Sequence, residues 1–239
     1  MIILCTAVNR VQILSWEHLI PIVFAVIIAV TLIRFSRSIS SEGQQHVIHY
    51  FAIFISLTVI VFHVHSMMTK DYNIRTDLPL YLCSLLGIII PIFTYYRKYW
   101  MFEILVFWII AGTLQGVITP DIAEGFSSLD YFRYWIVHLG LLIVIAYNIF
   151  VFKLRPKLKS VFKSFMALQL YVIMMIVINY VLEANYFYLN RKPESASLLD
   201  YFGEWPYYIV VAQLIIIPLF LIIYMPFYFS EEKKKLLGK

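Results

Sequence analysis

Six polar or reactive side chains interrupt otherwise apolar stretches of this 239-residue chain: His18, His63, Cys83, Gln115, His138 and Asn179. A thiol and an imidazole suffice for thioester chemistry, in which the imidazole takes the thiol proton and the sulfur attacks an acyl carbon. The amides of Gln115 and Asn179 carry hydrogens that could hold an oxyanion. A thiol in apolar surroundings is a poor nucleophile without a neighbouring base, so Cys83 needs a partner. Each residue also has a plainer reading. A buried cysteine packs as a small hydrophobe, and isolated His, Gln and Asn side chains tie helices together through hydrogen bonds.

The elements that must position these groups are transmembrane helices. The chain is 62% hydrophobic with a mean hydropathy of +0.83, and its apolar runs approach the ~20 residues that cross a bilayer. Seven spans are predicted near 18–37, 47–68, 78–96, 101–118, 131–152, 162–183 and 205–229. None alternates as a barrel strand does, so the fold class is all-α, a polytopic seven-helix bundle forming a single integral membrane domain over 1–239. Lys153, Arg155, Lys157, Lys159 and Lys163 crowd one connection, Lys233 to Lys235 and Lys239 the tail, and Arg97 with Lys98 another connection. Asp121, Glu124 and Asp130 mark the opposite side. The positive-inside rule then puts the N-terminus outside and the C-terminus in the cytoplasm. The net charge of +5 reflects this topology, and no nucleic-acid partner is expected. Ile2 to Val8 is too short to span and lacks a basic lead, so no cleaved signal is expected. Cys5 and Cys83 are the only cysteines, too few to argue a disulfide framework or a zinc site.

With the helix rise of ~1.5 Å per residue, Cys83 lies roughly 8 Å and His138 roughly 10 Å below the outer boundary if their spans start near Leu78 and Tyr131. Spans running outward bring His63, Gln115 and Asn179 within about two turns of the same side, where His18 opens the first span. Polar groups at one depth in a membrane protein are costly and mark a working site. Glu103 belongs to the other end, where Arg97 or Lys98 is its expected partner. Gly112 and Gly116, four apart, permit close approach of a neighbouring helix. The long outer connection, 184–205, carries Asn185, Arg191 and Lys192; it reads either as a lid whose bases hold a phosphate or carboxylate or as an interfacial segment whose bases meet anionic headgroups. His63 and His65 point to different helix faces, which argues against a shared metal, and no cofactor is expected.

The segments Leu78-Pro-Leu-Tyr-Leu-Cys83, Trp108 to Gly112 with Gln115, Thr119-Pro-Asp121, His138-Leu-Gly140, Asn179-Tyr180, Asn185-Tyr186, Arg191-Lys-Pro193 and Ser197-Leu-Leu-Asp200 resemble the YwaF-type bacterial integral membrane proteins. That group is in turn similar to the eukaryotic transmembrane protein 164 family, whose activity is cysteine-dependent acyl transfer between phospholipids. The resemblance implies that Cys83 is the nucleophile and His138 its base. The residues themselves offer Gln115, Asn179, Asn185, His18 and His63 as oxyanion or polar support. Tyr81 stands where many relatives carry His, which leaves His138 as the base. The partners implied are phospholipids or lysophospholipids, in a bacterial plasma membrane with the site facing outward. The rival readings are an outward-facing solute-binding or transport protein and an envelope scaffold. Against a carrier, the sequence has no internal repeat and no acidic relay at mid-membrane. Transport or scaffolding should survive Cys83→Ala, whereas thioester chemistry should not.

Overall fold

A computed structural model describes residues 10–69, 72–122, 124–193 and 197–236. Cys5, Lys239 and the apolar stretch Ile2 to Val8 lie outside the described residues. Among those described, all regular structure is helical: α1 (Trp16–Ser36), α2 (Ser41–Thr69), α3 (Leu82–Tyr96), α4 (Tyr99–Trp108), a π-helical turn (Ile109–Thr113), α5 (Leu114–Ile118), α6 (Leu129–Phe150), α7 (Leu158–Leu182) and α8 (Tyr207–Leu236). The segments α4, π turn and α5 form one rod, so six helical rods are long and apolar enough to cross a membrane. The seventh rod, α3, is apolar but has only 15 residues.

Helix α3 starts four residues later than its hydropathy suggests. Pro79 lacks an amide hydrogen and disfavours helical backbone at the residue before it. Leu80 N–H turns tightly onto Leu78 O at 2.7 Å, and the Leu80 carbonyl accepts the Tyr171 hydroxyl at 2.6 Å. Residues 78–81 are therefore a turn, and Cys83 is the second residue of its helix. The depth expected for it, measured from a helix start at Leu78, is corrected accordingly.

Helix α6 is the axis of the bundle. Of its most apolar stretch 61% is buried, against 6% for α1 and 11% for α8. It packs against α1, α2, α3 and the rod containing the π turn, while α7 packs on α4 and carries α8 on its flank. Glycines permit the tightest contacts: a Cβ on Gly140 would stand 2.8 Å from Ile55 Cδ1, and one on Gly87 3.0 Å from Val59 and 3.3 Å from Val137. At the end where α4 and α7 begin, Glu103 is bound by Lys163 and by Ser160 Oγ at 2.8 Å. The pairing expected with Arg97 or Lys98 is thus replaced. Arg97 instead reaches Gln45 Oε1 at 3.3 Å and lies 3.9 Å over the Phe152 ring. The helical pitch turns Glu103 inward toward α7, away from the connection that carries the two bases.

Gly140→Ala should lower the thermal unfolding midpoint in detergent, because overpacking a full core costs about 1–3 kcal/mol. Ile55→Ala makes room for the added methyl, so the double variant should lose less than the two single losses added together.

Candidate functional site

The starts of α1, α3 and α6 and the finishes of α2, α5 and α7 meet at one end of the bundle. All six singled-out side chains lie there, but they are not equivalent. His18 is fully engaged. Its Nδ1 accepts from Leu14 N–H at 2.9 Å, so Nε2 carries the hydrogen and donates to Val117 O at 2.7 Å. With its ring stacked on Trp135 at 5.7 Å, His18 fastens the chain before α1 to α5. Asn179 is engaged as well: its amide donates to Tyr186 O at 2.9 Å and accepts Tyr186 N–H at 2.7 Å. Asn185 accepts the backbone amides of Asn190 and Arg191, each at 2.9 Å. Gln115 donates to Thr119 Oγ1 at 3.0 Å, one turn away on the same rod.

Cys83 and His138 are held by the rod that contains the π turn. Leu114 N–H bonds Ile109 O, five residues back, and this widened turn offsets the residues that follow. Thr113, at its end, brings Oγ1 to 3.8 Å from Cys83 Sγ. One turn further, Gly116 faces His138, and a Cβ there would stand 2.8 Å from His138 Nε2. Residues three apart on a helix are ~5–6 Å apart at Cβ, so the thiol and the imidazole flank one helical turn. No hydrogen bond joins them directly. His138 Nδ1 lies 2.8 Å from Tyr134 O. A carbonyl can only accept, so Nδ1 carries the hydrogen and Nε2 presents its lone pair toward Gly116. Tyr134 stacks on the imidazole at 3.9 Å and donates its hydroxyl to Gly116 O at 2.7 Å, fixing base and rod together.

Cys83 also lies at the start of a helix that no side chain caps. Among the described residues no acceptor meets the amides of Leu82, Cys83 and Ser84. Unpaired amides at a helix N-terminus bind negative charge. Beside them opens a cavity of about 340 Å³ lined by Phe62, His63, Asp77, Tyr81, Ser84 and Arg133, among others. Both ring nitrogens of His63 are buried there, beside the Asp77 backbone and without a hydrogen bond of ordinary geometry. Arg133 is bound to Asp130 at 3.0 Å and lies 4.5 Å over the Phe62 ring.

The connection that follows α7 closes one side of the site. Tyr186 and Tyr188 bring their rings within 5.3 and 5.4 Å of Tyr81. Burial raises the Tyr186 phenol to about 12. Burial first, and Asp121 second, also push Tyr188 upward, so both remain neutral at physiological pH. The side chain of Arg191 is exposed at the rim. Lys192 faces Glu204 at 3.5 Å and the Tyr208 ring at 5.9 Å.

Sequence reading missed Thr113, Tyr134 and Arg133. Thr113 stands inside the glycine-flanked stretch, but a helical threonine ordinarily bonds its own preceding turn. Tyr134 is one turn before His138, a spacing that puts both on one helix face.

Among the described residues, six long apolar helices, one of them the buried axial α6, with polar groups gathered at one end, define a multi-pass membrane protein. Residues 13–224 match the TMEM164 family, and the chain belongs to it. No curated protein and no solved structure matches it.

Asn179→Ala removes two bonds to the Tyr186 backbone and leaves a buried amide and carbonyl unpaired, a loss of about 1–3 kcal/mol for each such group. Protease cleavage between 183 and 190 should accelerate and the unfolding midpoint should fall. Unchanged cleavage would show that Asn179 does not hold this segment.

Proposed function

We propose that this protein is a membrane-embedded acyltransferase that moves fatty-acyl chains from phospholipids to lysophospholipids or lipoproteins through a thioester on Cys83. Family membership is compatible with an acyltransferase-like role. The observation that supports the reading is the pair of contacts made by one helical turn, Thr113 to Cys83 and Gly116 to His138.

In the first half-reaction the Cys83 thiol gives its proton to His138 Nε2 and the sulfur attacks the ester carbonyl. The oxygen of the tetrahedral intermediate takes up negative charge, which the unpaired amides at the start of α3 are suited to receive. Gln115 and Asn179 are engaged in other bonds and are secondary candidates for that role. The ester C–O bond then breaks, His138 returns the proton to the departing lysolipid oxygen, and the acyl group remains on sulfur. In the second half-reaction an acceptor hydroxyl or amine gives its proton to Nε2 and attacks the thioester. The Cys83 thiolate leaves and regains the proton. Arg191 and Lys192 at the rim, or Arg133 nearer the thiol, would meet the lipid phosphate.

We place the site on the extracellular side of a bacterial plasma membrane, with all seven rods crossing, the N-terminus outside and the C-terminus inside. The distribution of Lys and Arg supports this topology. Helix α3 is shorter than the hydrocarbon is thick, but it packs against α2 and α6, and the non-helical turn before it lies against protein.

Intact-mass spectrometry after incubation with defined phospholipids tests the reading. A hydroxylamine-labile acyl adduct should form on the native protein and be absent from Cys83→Ala. His138→Ala should slow its formation about 100-fold or more, as loss of a general base does. Gly116→Ala should slow it in the same direction by displacing the imidazole. Absence of any adduct across lipid classes, with Cys83→Ala behaving as the native protein in cells, would leave the 340 Å³ cavity as the site of a solute-binding or scaffold protein.

A further inference from the structure

A second concavity lies on the far side of the segment that closes the Cys83 site. It is a groove of about 830 Å³ between α7 and α8, within the ~300–1,000 Å³ of ordinary ligand sites. Val172, Ile176 and Val181 of α7 and Ile209 of α8 form its walls, and Leu189 enters from the connecting segment. Below it the two helices are joined by Gln169 Nε2, which donates to Gln213 Oε1 at 2.9 Å.

Its polarity is graded. The α7 wall is mostly aliphatic but includes Asn179 and Tyr180, and Glu183, Asn190 and Trp205, beyond the end of α7, add polar groups to the lining. Glu183 is neutralised by Arg75 at 2.7 Å, and the Trp205 indole donates to Leu189 O at 3.2 Å. The neighbouring outward faces carry exposed Ile173, Val177 and Leu214, so the groove opens sideways onto hydrocarbon. An occupant must be apolar along its length and polar at one end.

Helix α7 and the segment after it lie between groove and thiol: Tyr171 of α7 donates to Leu80 O at 2.6 Å on the thiol side, while Val172 and Ile176 line the groove. Leu189 faces the groove, while Tyr186 and Tyr188 of the same stretch touch Tyr81, two residues before Cys83. Phe187 and Tyr188 adopt left-handed backbone at φ 60° and 55°, a conformation disfavoured for non-glycine residues. Hydrogen bonds hold the stretch in that form: Asn179 to Tyr186 and Tyr208 Oη to Tyr188 O at 2.6 Å.

From this geometry we infer that the α7–α8 groove binds an acyl chain of a phospholipid, delivered sideways from the bilayer to the wall of the Cys83 site. The inference rests on the acyl-transfer reading for its purpose, but the groove's occupancy is measurable without turnover. The full-length protein in nanodiscs would be photolysed with a phosphatidylcholine carrying a diazirine on its acyl chain, and the adducts mapped by peptide mass spectrometry. Labelling should concentrate on Val172 to Val181 and Ile209, exceeding that of the lipid-facing α1 residues Val23 to Val30. Ile209→Trp should lower groove labelling about tenfold, as steric exclusion of a ligand requires. Val181→Trp should do the same, and labelling of α1 should not change in either variant. Equal labelling of groove and α1, untouched by both tryptophans, would mean bulk lipid only and overturn the inference. Cys83→Ala should retain groove labelling. A thioester formed without groove labelling sinks the groove alone, whereas groove labelling without a thioester on any lipid sinks the acyl-transfer reading alone.

Discussion

A polar group removed from water must find a partner, and in hydrocarbon no solvent supplies one. That constraint governs most of this structure. It makes the chain helical and commits His18 to a carbonyl and an amide. It also binds Glu103 to Ser160 and Lys163 and closes Asn179 on the Tyr186 backbone. Against this background three groups near one end stand out: the lone pair of His138, the amides that begin α3, and the buried imidazole of His63. They gather around Cys83, which has only a weak contact with Thr113.

The π turn is the local device that assembles the site. In an uninterrupted α-helix Gly112 and Gly116 would share a face. With the backbone widened between them, Gly112 meets Leu82 of α3 and Gly116 meets the imidazole on α6. One short segment therefore addresses two helices. Bulges of this kind recur at functional sites because they reorient side chains at small cost in hydrogen bonding. Tyr134 completes the arrangement by stacking on the base and bonding the Gly116 carbonyl.

Pairing also separates structural polar residues from chemical ones. As sequence, His18 and His138 look alike, each an imidazole near the same end of an apolar helix. In the structure, one has both nitrogens occupied and the other has one. The same distinction sets Asn179 and Asn185, which shape the segment after α7, apart from the cavity-facing His63. Arg133, paired to Asp130 within its own helix turn, lines the cavity beside Cys83, a placement its sequence neighbours do not signal.

The sequence by itself determined the helical rods, to within a few residues at most ends, because hydropathy over ~20 residues is a local property and lipid admits few alternatives. It also determined that polar groups from several rods collect at one end, since helices joined by short connections alternate in direction. It did not reveal that α3 begins at Leu82, because that boundary depends on Tyr171 capturing the Leu80 carbonyl from another helix. Nor did it reveal Thr113 as the neighbour of Cys83 or the face of α5 turned to His138. Helix rotation, tilt and a widened turn follow from side-chain packing between rods far apart in the chain. Only the tertiary structure decided which imidazole kept a lone pair.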